Sequence, residues 1–432
     1  MTDRNACTFL VRRTDMDATL IDRLREEMRG EFARTAPPEG FPAFHDIPTG
    51  RHVDEEFWRL EQEHLWPKVW VLAGRVEDAP TPGSYARFDD LGVPLLLVRG
   101  ADGELRCFAN TCQHRGAPVV RDMAGSARTL RCQYHSWTYD ISSGELLHVP
   151  DRRDFVDLDI TTRCLPQVRC EVWDGWVFVN RDLDAMPLLD WLAPIPEQLA
   201  EFQGPNLRAV VKRSEVVACN WKITAEAFLE VYHFRHIHSR NGDTNLDNRG
   251  ATMGLLPNGS SRMITPFSSS ACAAFGMSSW DDWRRNAAPG FLDIATVNEM
   301  VRSTSTAYSI FPNLITPLAA YGFPFITFWP IDRGTTRIDW THYAPVDFDP
   351  ADGLPEHWAQ RMKTFDQIMG EDFANLAPMQ RSLASPAIRG MPINYQERRI
   401  WHFHEQLDRM IGIDRIPTHL RVAQLLDRYV ER

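Results

Sequence analysis

The sequence predicts an α+β protein in which a small all-β region precedes a larger region of mixed helices and strands. Between about residues 65 and 185, short apolar runs are separated by Gly, Pro and Asp turns, a pattern typical of a compact β domain. Beyond residue 190, a strand at 210–217 leads into a helical segment from 220 to about 238, and a long helix follows from 355 to near 377. A chain of 432 residues is long enough to bury two or more cores.

The first 64 residues are predicted to form a helical extension. Residues 17–33 have an amphipathic pattern that places Leu24 and Met28 on one stripe. A Pro- and Gly-rich link around 37–48 precedes a second helix at 54–64. We therefore expect three parts: the extension at 1–64, a small domain at 65–185 and a large domain at 190–432.

The strands of the small domain are expected at four apolar runs, 69–72, 94–98, 105–108 and 176–180. In the large domain, residues 325–330 and 336–343 are predicted to pair as a hairpin across Asp332-Arg-Gly334. Residues 240–305 are rich in Ser, Gly and Asn and show no clear periodicity. They are predicted to form loops around a pocket.

Composition indicates a globular protein and argues against two classes of partner. The net charge of -11 disfavours nonspecific nucleic-acid binding, because such binding requires a positive field. No apolar run approaches the ~20 residues of a membrane helix, and the amino terminus has no apolar core of signal-peptide length. We expect a cytoplasmic protein without a membrane or nucleic-acid partner. Its cysteines outside the motif described next, Cys7 included, are expected to be free thiols.

Two short motifs between Cys112 and His135 have the strongest chemical signal. Cys112-Gln-His114 and Cys132-Gln-Tyr-His135 each supply one thiolate and one imidazole. Two cysteines and two histidines are the ligands of a Rieske 2Fe-2S cluster, in which histidines replace one cysteine pair and raise the reduction potential. The alternative is a tetrahedral Cys2His2 zinc site. Zinc sites commonly keep cysteines together and histidines together, so the mixed loops favour the cluster.

A second candidate metal site lies in the helical segment. Glu226, Glu230 and His233 are spaced at i, i+4 and i+7, which puts them on one face of an ideal helix. His238 follows His233 by about 140° around a helix of 3.6 residues per turn, so the helix must distort or end for both imidazoles to reach one metal. His236, at i+3 from His233, is the alternative ligand.

Asp372 of the long helix is the candidate carboxylate ligand. It continues an apolar stripe whose members step by four and three residues: Trp358, Met362, Phe365, Met369 and Leu376. A buried carboxylate needs a partner, and two histidines with one carboxylate form the facial triad of non-haem ferrous oxygenases. Glu371 is predicted to point to the opposite face. The alternative is that Asp372 pairs with an arginine such as Arg381.

Together these motifs resemble the alpha (oxygenase) subunits of the Rieske non-haem iron oxygenases, from about residue 45 to the end. The matching pieces are the two Cys/His loops, Trp-x-Phe-Val-Asn at 176–180, Asn-Trp-Lys at 220–222, Glu230-x2-His233-x4-His238, and Glu371-Asp372 followed by Gln380-Arg381. The resemblance implies a catalytic domain of helix-grip (START-like) type, an antiparallel sheet with a long helix over it. It also implies a head-to-tail homotrimer in which the cluster of one subunit serves the iron of the next.

Carried over position by position, the resemblance implies roles for eight residues. The cluster ligands are Cys112, His114, Cys132 and His135, and the mononuclear Fe(II) ligands are His233, His238 and Asp372. Glu230 stands where the family places an acid that bridges the two metal centres. This acid is commonly Asp in ring dioxygenases, so Glu230 is more similar to the carnitine, choline and glycine betaine monooxygenases. Ala227 replaces an asparagine that many members have near the iron.

The leading functional hypothesis is an O2-dependent monooxygenase or dioxygenase. It would hydroxylate or oxidatively dealkylate a small aromatic or quaternary ammonium compound, with electrons passing through hydrogen-bonded His135, Glu230 and His233. No Gly-x-Gly-x-x-Gly fingerprint is present, so we expect a separate NAD(P)H-dependent reductase, with or without a ferredoxin. The alternative is an electron carrier or redox-sensing binding protein without catalytic iron.

Aromatic residues in the segment from 240 to 320 are candidates to line the substrate pocket. They are Phe267, Phe275, Trp280, Tyr308 and Phe311. Such side chains suit an aromatic ring, or a quaternary ammonium group through cation–π contact. The alternative for each of them is ordinary core packing.

Overall fold

The computed structural model describes residues 18–239, 245–282 and 289–431; Cys7 and parts of the segment 240–305 therefore lie outside the described residues. The described chain divides into two compact units, one spanning 67–190 and the other combining 18–66 with 191–431. Each unit is built on a seven-stranded sheet. The predicted α+β class is confirmed. Within the described ranges, no helix is long and apolar enough to cross a bilayer.

The N-terminal elements belong to the larger unit. They are α1 (Ala18–Ala33), β1 (Ile47–Pro48), α2 (Gly50–Val53) and α3 (Glu55–Leu60). The Asp54 carboxylate caps α3 by accepting the backbone N–H of Glu56. Leu24 and Met28 of α1 pack with Ile264 in one buried cluster. The described part of the predicted extension is therefore built into the same compact unit as residues 191–431.

The smaller unit consists of short antiparallel strands. They are β2 (Val71–Arg75), β3 (Ser84–Phe88), β4 (Leu95–Arg99), β5 (Leu105–Ala109), β6 (Ala124–Ser126), β7 (Thr129–Arg131), β8 (Thr138–Asp140), β9 (Leu146–His148), β10 (Gln167–Trp173) and β11 (Trp176–Asn180). Seven of them form a sheet in the order β2-β11-β10-β5-β4-β3-β6, and β7, β8 and β9 form a second, three-stranded sheet. The β5–β6 and β7–β8 connections hold the two Cys/His motifs.

The larger unit has one antiparallel sheet with helices packed against it. Its remaining strands are β12 (Arg208–Val217), β13 (Thr252–Leu255), β14 (Ser261–Pro266), β15 (Thr304–Ile310), β16 (Leu314–Leu318), β17 (Phe323–Asp332), β18 (Thr335–Ala344) and β19 (Gly390–Met391). The strand order is β12-β18-β17-β16-β15-β14-β13, while β19 pairs with β1. The predicted hairpin across Asp332-Arg-Gly334 is present as β17 and β18.

The remaining helices are α4 (Leu188–Leu192), which spans the boundary between the units, and α5 (Ile195–Gln198), α6 (Trp221–Glu226), α7 (Phe234–Ile237), α8 (Ser269–Ala274), α9 (Glu299–Ser303), α10 (Glu356–Leu383) and α11 (Arg398–Ile411). The predicted apolar stripe of α10 is buried along its length, Asp372 included. The helix runs beyond the predicted end near 377 and continues through Pro378.

The two faces of the large sheet have different partners. Met253 and Met263 are opposite each other in the β13–β14 pair and pack with Val231 and Phe234. Ile264, which points the other way because side chains alternate along a strand, packs with α1. We call the face that carries Met253 and Met263 the inner face. The segment between α6 and α7 lies on this face.

The prediction of loops throughout 240–305 is wrong, because this segment supplies two strands of the large sheet. Every residue of β13 and β14 is buried. A strand buried on both faces shows no apolar–polar alternation, and here Ser and Thr occupy several of the buried positions. Periodicity therefore could not identify these strands.

Candidate metal centres

The two Cys/His loops of the smaller unit have the same backbone geometry. In each loop the cysteine N–H donates to the carbonyl five residues later at 2.9 Å. The N–H four residues after the cysteine donates back to the cysteine carbonyl at 2.9–3.0 Å. That residue is Gly116 in one loop and Ser136 in the other, and both have positive φ. The sequence motifs thus fold into two matching turns that each present one thiol and one imidazole.

The four side chains of these loops differ in exposure. Cys112 and Cys132 are buried, whereas His135 is exposed. The Nδ1 atoms of His114 and His135 lie 3.1 Å apart, so both imidazoles turn the same nitrogen toward one point. Trp137 stacks on the His114 ring with centroids 4.9 Å apart. The sulfurs are shielded from water, and the imidazole pair lies at the surface of the unit.

Tyr139 contacts the first sulfur directly. Its hydroxyl lies 3.2 Å from Cys112 Sγ and accepts the backbone N–H of Gln113 at 2.9 Å. Because that N–H occupies an acceptor position, the tyrosine O–H is available to donate to the sulfur. Burial raises the pKa of the Cys112 thiol, although Tyr139 opposes the increase. A thiolate at this position therefore requires a bound cation to stabilise it.

The arrangement fits a two-iron cluster better than a single zinc ion. A tetrahedral ion requires all its ligand atoms close to one centre. Within the described residues, the groups of three or more ligand atoms that lie within 4.8 Å of one another do not include any three of Cys112, His114, Cys132 and His135. The two thiols interact with each other and the two imidazoles meet at their Nδ1 atoms, and such a thiol pair and imidazole pair match a 2Fe-2S cluster, in which each iron takes one pair.

His233, His238 and Asp372 meet in the larger unit. Asp372 Oδ1 lies 3.5 Å from His233 Nε2 and 3.2 Å from His238 Nε2. The three ligand atoms lie within 4.8 Å of one another. His233 Nε2 is buried and has no hydrogen-bond partner, which is the state expected of an atom available to a metal. This set of two nitrogens and one carboxylate fits the facial triad of non-haem iron.

Each of the two imidazoles is held by a second carboxylate. Glu230 Oε1 accepts a hydrogen bond from His233 Nδ1, and Glu371 Oε2 accepts one from His238 Nδ1 at 2.9 Å. These bonds place the ring proton on Nδ1 and leave Nε2 free for a metal. Burial lowers the pKa of His238, but hydrogen bonds to Asp372 and Glu371 raise it above its ordinary value.

The segment that carries the two histidines is not the continuous helix that the sequence predicts. The helix α6 ends at Glu226, and turns occupy 227–233 before α7 begins at Phe234. The predicted i, i+4, i+7 face is therefore wrong, and Glu230 reaches His233 through a turn. Glu230 Oε2 also accepts the backbone N–H of His233 at 3.1 Å. Between the two histidines the chain forms only the four-residue helix α7, and its end at Ile237 is what the five-residue spacing requires.

Three further expectations concern the neighbours of the site. Glu371 does not point to the opposite side of α10, because adjacent helical residues are only about 100° apart and its side chain reaches His238 around the helix edge. Asp372 is paired with the two histidines and not with Arg381. His236 is exposed and outside the group. In the sequence, only its position next to Asp372 drew attention to Glu371, and no pattern indicated its contact with His238.

A second buried group of ligand-type residues joins α2, α6 and α11. Glu226 Oε1 accepts His52 Nε2 at 2.7 Å and His404 Nε2 at 2.8 Å. Arg51 Nε donates to His404 Nδ1 at 2.9 Å, so the His404 proton must sit on Nε2, the atom that a metal would need. Burial and Arg51 lower the pKa of His404 to about 3, which keeps this ring neutral. We assign this group to hydrogen bonding and not to metal binding.

The aromatic residues expected to line a pocket mostly pack elsewhere. Tyr308 points away from the inner face, because its neighbour Ala307 is opposite Met263, and its hydroxyl donates to Gln198 at 2.8 Å. The others pack as follows: Trp280 on Phe32 at 4.9 Å, Phe267 on Phe275 at 4.9 Å, and Phe311 beside Trp191 and Phe403. The predicted set thus does not form one aromatic cage.

The side chains opposite the metal residues come from the inner face instead. Residues that are paired in neighbouring strands lie on the same face of the sheet. Met263 is paired with Ala307, and the same face continues across β16 and β17 to Ile326 and Trp340. His342 follows Trp340 by two positions and shares its face. Sequence reasoning missed these residues because it could predict β18 as a strand, whose burial alternates over most of its length, but not which distant residues its buried face would meet.

Two family models match the chain. The model of the Rieske [2Fe-2S] domain matches residues 69–168, and the model of the ring hydroxylating alpha subunit (catalytic domain) matches residues 202–413. The first match contains both Cys/His loops. The second contains Glu230, His233, His238 and Asp372.

Curated proteins with related sequences include two dioxygenase subunits. The chain is 31% identical over 237 residues to the 2-aminobenzenesulfonate 2,3-dioxygenase subunit alpha of Alcaligenes sp, covering 54% of this chain and 60% of that protein. It is 27% identical over 344 residues to the large oxygenase component of the naphthalene 1,2-dioxygenase system of Pseudomonas putida, covering 72% of each. The match thus spans less than two thirds of the first of these relatives.

Among solved structures, the quaternary ammonium Rieske monooxygenase CntA in complex with its substrate L-carnitine superposes with a TM-score of 0.67. The identity is 19%, and the match covers 87% of this chain and 98% of that one. At this identity the likeness establishes a shared fold.

Proposed function

We propose that the chain, a member of the Rieske non-haem iron oxygenases, is the oxygenase component of a multicomponent enzyme. It combines a Rieske [2Fe-2S] domain with a ring-hydroxylating catalytic domain. It uses O2 and externally supplied electrons to hydroxylate or oxidatively dealkylate a small organic substrate. The observation that supports this proposal most strongly is the convergence of His233, His238 and Asp372, with both Nε2 atoms turned to one carboxylate oxygen.

Eight residues take the roles that the resemblance implies. We assign the cluster to Cys112, His114, Cys132 and His135, and the mononuclear iron to His233, His238 and Asp372. When bound, the cluster supplies single electrons and the ferrous ion supplies activation of O2. Glu230 and Glu371 keep the Nδ1 protons in place and so orient the imidazoles. The apolar inner face, with Met253 and Met263, excludes water from the reacting carbon.

Glu230 has a second proposed role, as the bridge between a cluster and an iron on neighbouring subunits of a homotrimer. Its carboxylate is fixed on His233, and the exposed His135 is the cluster ligand that it would meet in the neighbouring subunit. The domain boundaries at 65–185 and 190–432, the trimer, a cytoplasmic location and an NAD(P)H-dependent reductase as electron donor remain predictions from the sequence.

The substrate is a small aromatic or quaternary ammonium compound in this proposal. The relatives differ in one chemical respect that bears on the choice. Naphthalene is a neutral hydrocarbon, whereas 2-aminobenzenesulfonate and L-carnitine each have an acidic group in addition to the part that is oxidised. The alternative of an electron carrier gives no role to the His233, His238 and Asp372 group.

Metal analysis and oxygen consumption test the proposal together. The oxygenase should contain about three irons per chain, two in the cluster and one mononuclear. With a reductase and a substrate it should consume O2 and form an oxygenated product. A protein with about two irons per chain, whose cluster is reduced and reoxidised without substrate-dependent O2 uptake, would instead be an electron carrier.

A further inference from the structure

His342 is a buried histidine without a hydrogen-bond partner in the described structure. It lies on the inner face of β18, is 3% exposed, and neither ring nitrogen has a partner. A neutral imidazole has one donor and one acceptor, and buried polar groups in folded proteins almost always bond to protein, water or ligand. The His342 ring therefore requires a partner that is not part of the described chain.

The position of His342 relates it to the proposed iron site. Its ring packs against Phe365 of α10 with centroids 4.7 Å apart. Phe365 and Asp372 belong to the same buried stripe of α10. They are separated by two helical turns, about 10 Å along the axis. His342 therefore lies about two helical turns from the proposed iron ligand Asp372, along the same buried side of α10.

Arg361 brings positive charge to the same side of α10. Its guanidinium lies 5.9 Å from the ring centroids of both Phe365 and Tyr321, and its Nε is buried without a hydrogen-bond partner. On an ideal helix, Arg361 and Asp372 are about 20° apart around the axis, so they project from the same side of α10. The His342 ring and Arg361 Nε, buried and without hydrogen-bond partners, thus lie beside the same aromatic ring, and one of the two groups is cationic.

The charge state of His342 follows from its surroundings. Burial, together with the charges of Arg361 and Arg213, lowers the pKa of His342 to about 3. At neutral pH the ring is therefore uncharged and presents one N–H donor, while Arg361 supplies the formal charge. This combination matches an oxyanion, which accepts hydrogen bonds and carries the opposite charge.

We propose that His342 and Arg361 bind an acidic oxygen of the substrate, so that the enzyme acts on organic acids, carboxylates or sulfonates, in preference to neutral hydrocarbons. This inference rests on the proposed oxygenase function and narrows its substrate class. In this proposal the acidic group and the oxidised carbon of the substrate are separated by about 10 Å, the length of two turns of α10. The competing explanation is that His342 bonds only to a buried water.

Matched probe pairs on the reconstituted holoenzyme with its reductase test the proposal. We would compare 5-phenylpentanoate with butylbenzene, and 4-butylbenzenesulfonate with butylbenzene, since each pair differs by the acidic group alone and each acid places that group well away from an oxidisable carbon. In the wild type, kcat/KM should be at least about tenfold higher for the acid, because a site built to hydrogen-bond a substrate group rejects the analogue that lacks it. His342→Phe should raise KM for the acids at least tenfold and leave KM for the neutral probes within about twofold.

A matched control and a second variant make the test decisive. His402→Phe removes another buried histidine whose Nδ1 has no partner, but this residue is on α11 and bonds to Leu256 O, so the acid preference should not change. Arg361→Gln, at a partly exposed position, should reduce the acid preference in the same direction as His342→Phe. If the His342→Phe protein does not fold, Arg361→Gln alone tests whether this end of the site binds the acidic group.

Each remaining outcome has a definite meaning. If His342→Phe and Arg361→Gln change both members of a pair equally, or the wild type prefers the neutral probes, the inference fails and the oxygenase function stands. If fully metallated protein with a reduced cluster oxidises neither acids nor neutral probes, the proposed function itself fails and the inference falls with it.

Discussion

At the scale of single residues, two adjacent acids have different tasks at the proposed iron site. Asp372 faces the two histidine Nε2 atoms, whereas Glu371 holds the outer nitrogen of His238. Glu230 does for His233 what Glu371 does for His238. Each imidazole is thus fixed from behind by one carboxylate, and a single further carboxylate completes the ligand set. This division allows ligand binding and ligand orientation to be tested separately.

Asp372→Ala should lose the mononuclear iron and keep the visible spectrum of the Rieske cluster. Asp372 lies within 3.5 Å of both Nε2 atoms, and the cluster ligands are in the other compact unit. Metal analysis should therefore fall from about three irons per chain to about two. His236→Ala is the control, since His236 is exposed and its replacement should retain the iron. Loss of iron in the control would reverse the choice between His236 and His238.

Glu230→Gln and Glu371→Gln form a matched pair that separates bridging from orientation. Both carboxylates accept an Nδ1 hydrogen bond from a proposed iron ligand, so each variant should weaken iron binding, by about 10–100-fold at most. Only Glu230 is proposed to connect the two centres. In iron-loaded protein, single-turnover reoxidation of the cluster should be nearly stopped by Glu230→Gln and close to normal in Glu371→Gln. Equal rates in the two variants would refute the bridging role.

At the scale of elements, α6 is a short helix anchored at both ends by buried polar contacts. Asn220 caps its start by accepting Lys222 N–H at 3.0 Å, and Lys222 Nζ lies 2.6 Å from Glu61 Oε1. Its last residue, Glu226, accepts hydrogen bonds from two histidines. Because these contacts fix the helix end, the chain can turn sharply over 227–233 without disturbing the core. The interrupted segment, and not a continuous helix, orients both iron-site histidines toward the carboxylate of Asp372.

The helix α11 should make stability depend on pH. Burial lowers the pKa of His402 to about 4 and that of His404 to about 3, whereas an unfolded histidine titrates near 6.5. Between about pH 6.5 and 4 the unfolded chain binds protons that the folded one does not, so the free energy of unfolding should decrease as pH falls, by up to about 1.4 kcal/mol per pH unit for each histidine. Urea unfolding at pH 6.5, 5.5 and 5.0 measures this slope.

His404→Gln isolates one histidine of that pair. The glutamine amide can still donate to Glu226 but does not titrate, so the slope between pH 6.5 and 5.0 should become shallower by about 1.4 kcal/mol per pH unit. An unchanged slope would show that His404 is protonated in the folded protein, contrary to the neutral state that Arg51 imposes.

At the scale of the whole molecule, the two metal centres belong to units with separate cores. His114→Ala should therefore abolish the visible spectrum of the cluster while the mononuclear iron remains. The variant should contain about one iron per chain and keep its cooperative thermal unfolding, because the core of the smaller unit includes Trp137 and Tyr139, which the change leaves in place. A coloured and active variant would show that the cluster assignment is wrong.

Local sequence patterns single out the proposed ligand residues more readily than the scaffold around them. Cys112, His114, Cys132 and His135 follow from local spacing, and Asp372 follows from its place on an apolar stripe, because both signals lie within one segment of chain. The turn after Glu226 could not be predicted in the same way. It depends on His52 and His404, which are distant in sequence and have no local pattern.

His342 illustrates the same limit from the functional side. In the sequence it is one histidine within a strand, and nothing near it indicates a ligand. Its proposed role in ligand binding follows from its position on the inner face, which it shares with residues of other strands, and from its packing on Phe365 of α10. Such a role depends on tertiary pairing, so local sequence patterns do not reveal it.

The hydrogen bond from Arg51 to His404 has a consequence for assembly of the enzyme. Within the described ranges, the folded chain has two groups of the same composition, each with two imidazoles and a carboxylate. Ligand type cannot discriminate between them, but proton position can. Arg51 and the carboxylate of Glu226 hold the His404 proton on the coordinating nitrogen, while Glu230 and Glu371 hold the iron-site protons on the opposite nitrogens. If the proposed ligand set is right, the fold itself directs iron to His233, His238 and Asp372 and keeps it from His52, Glu226 and His404.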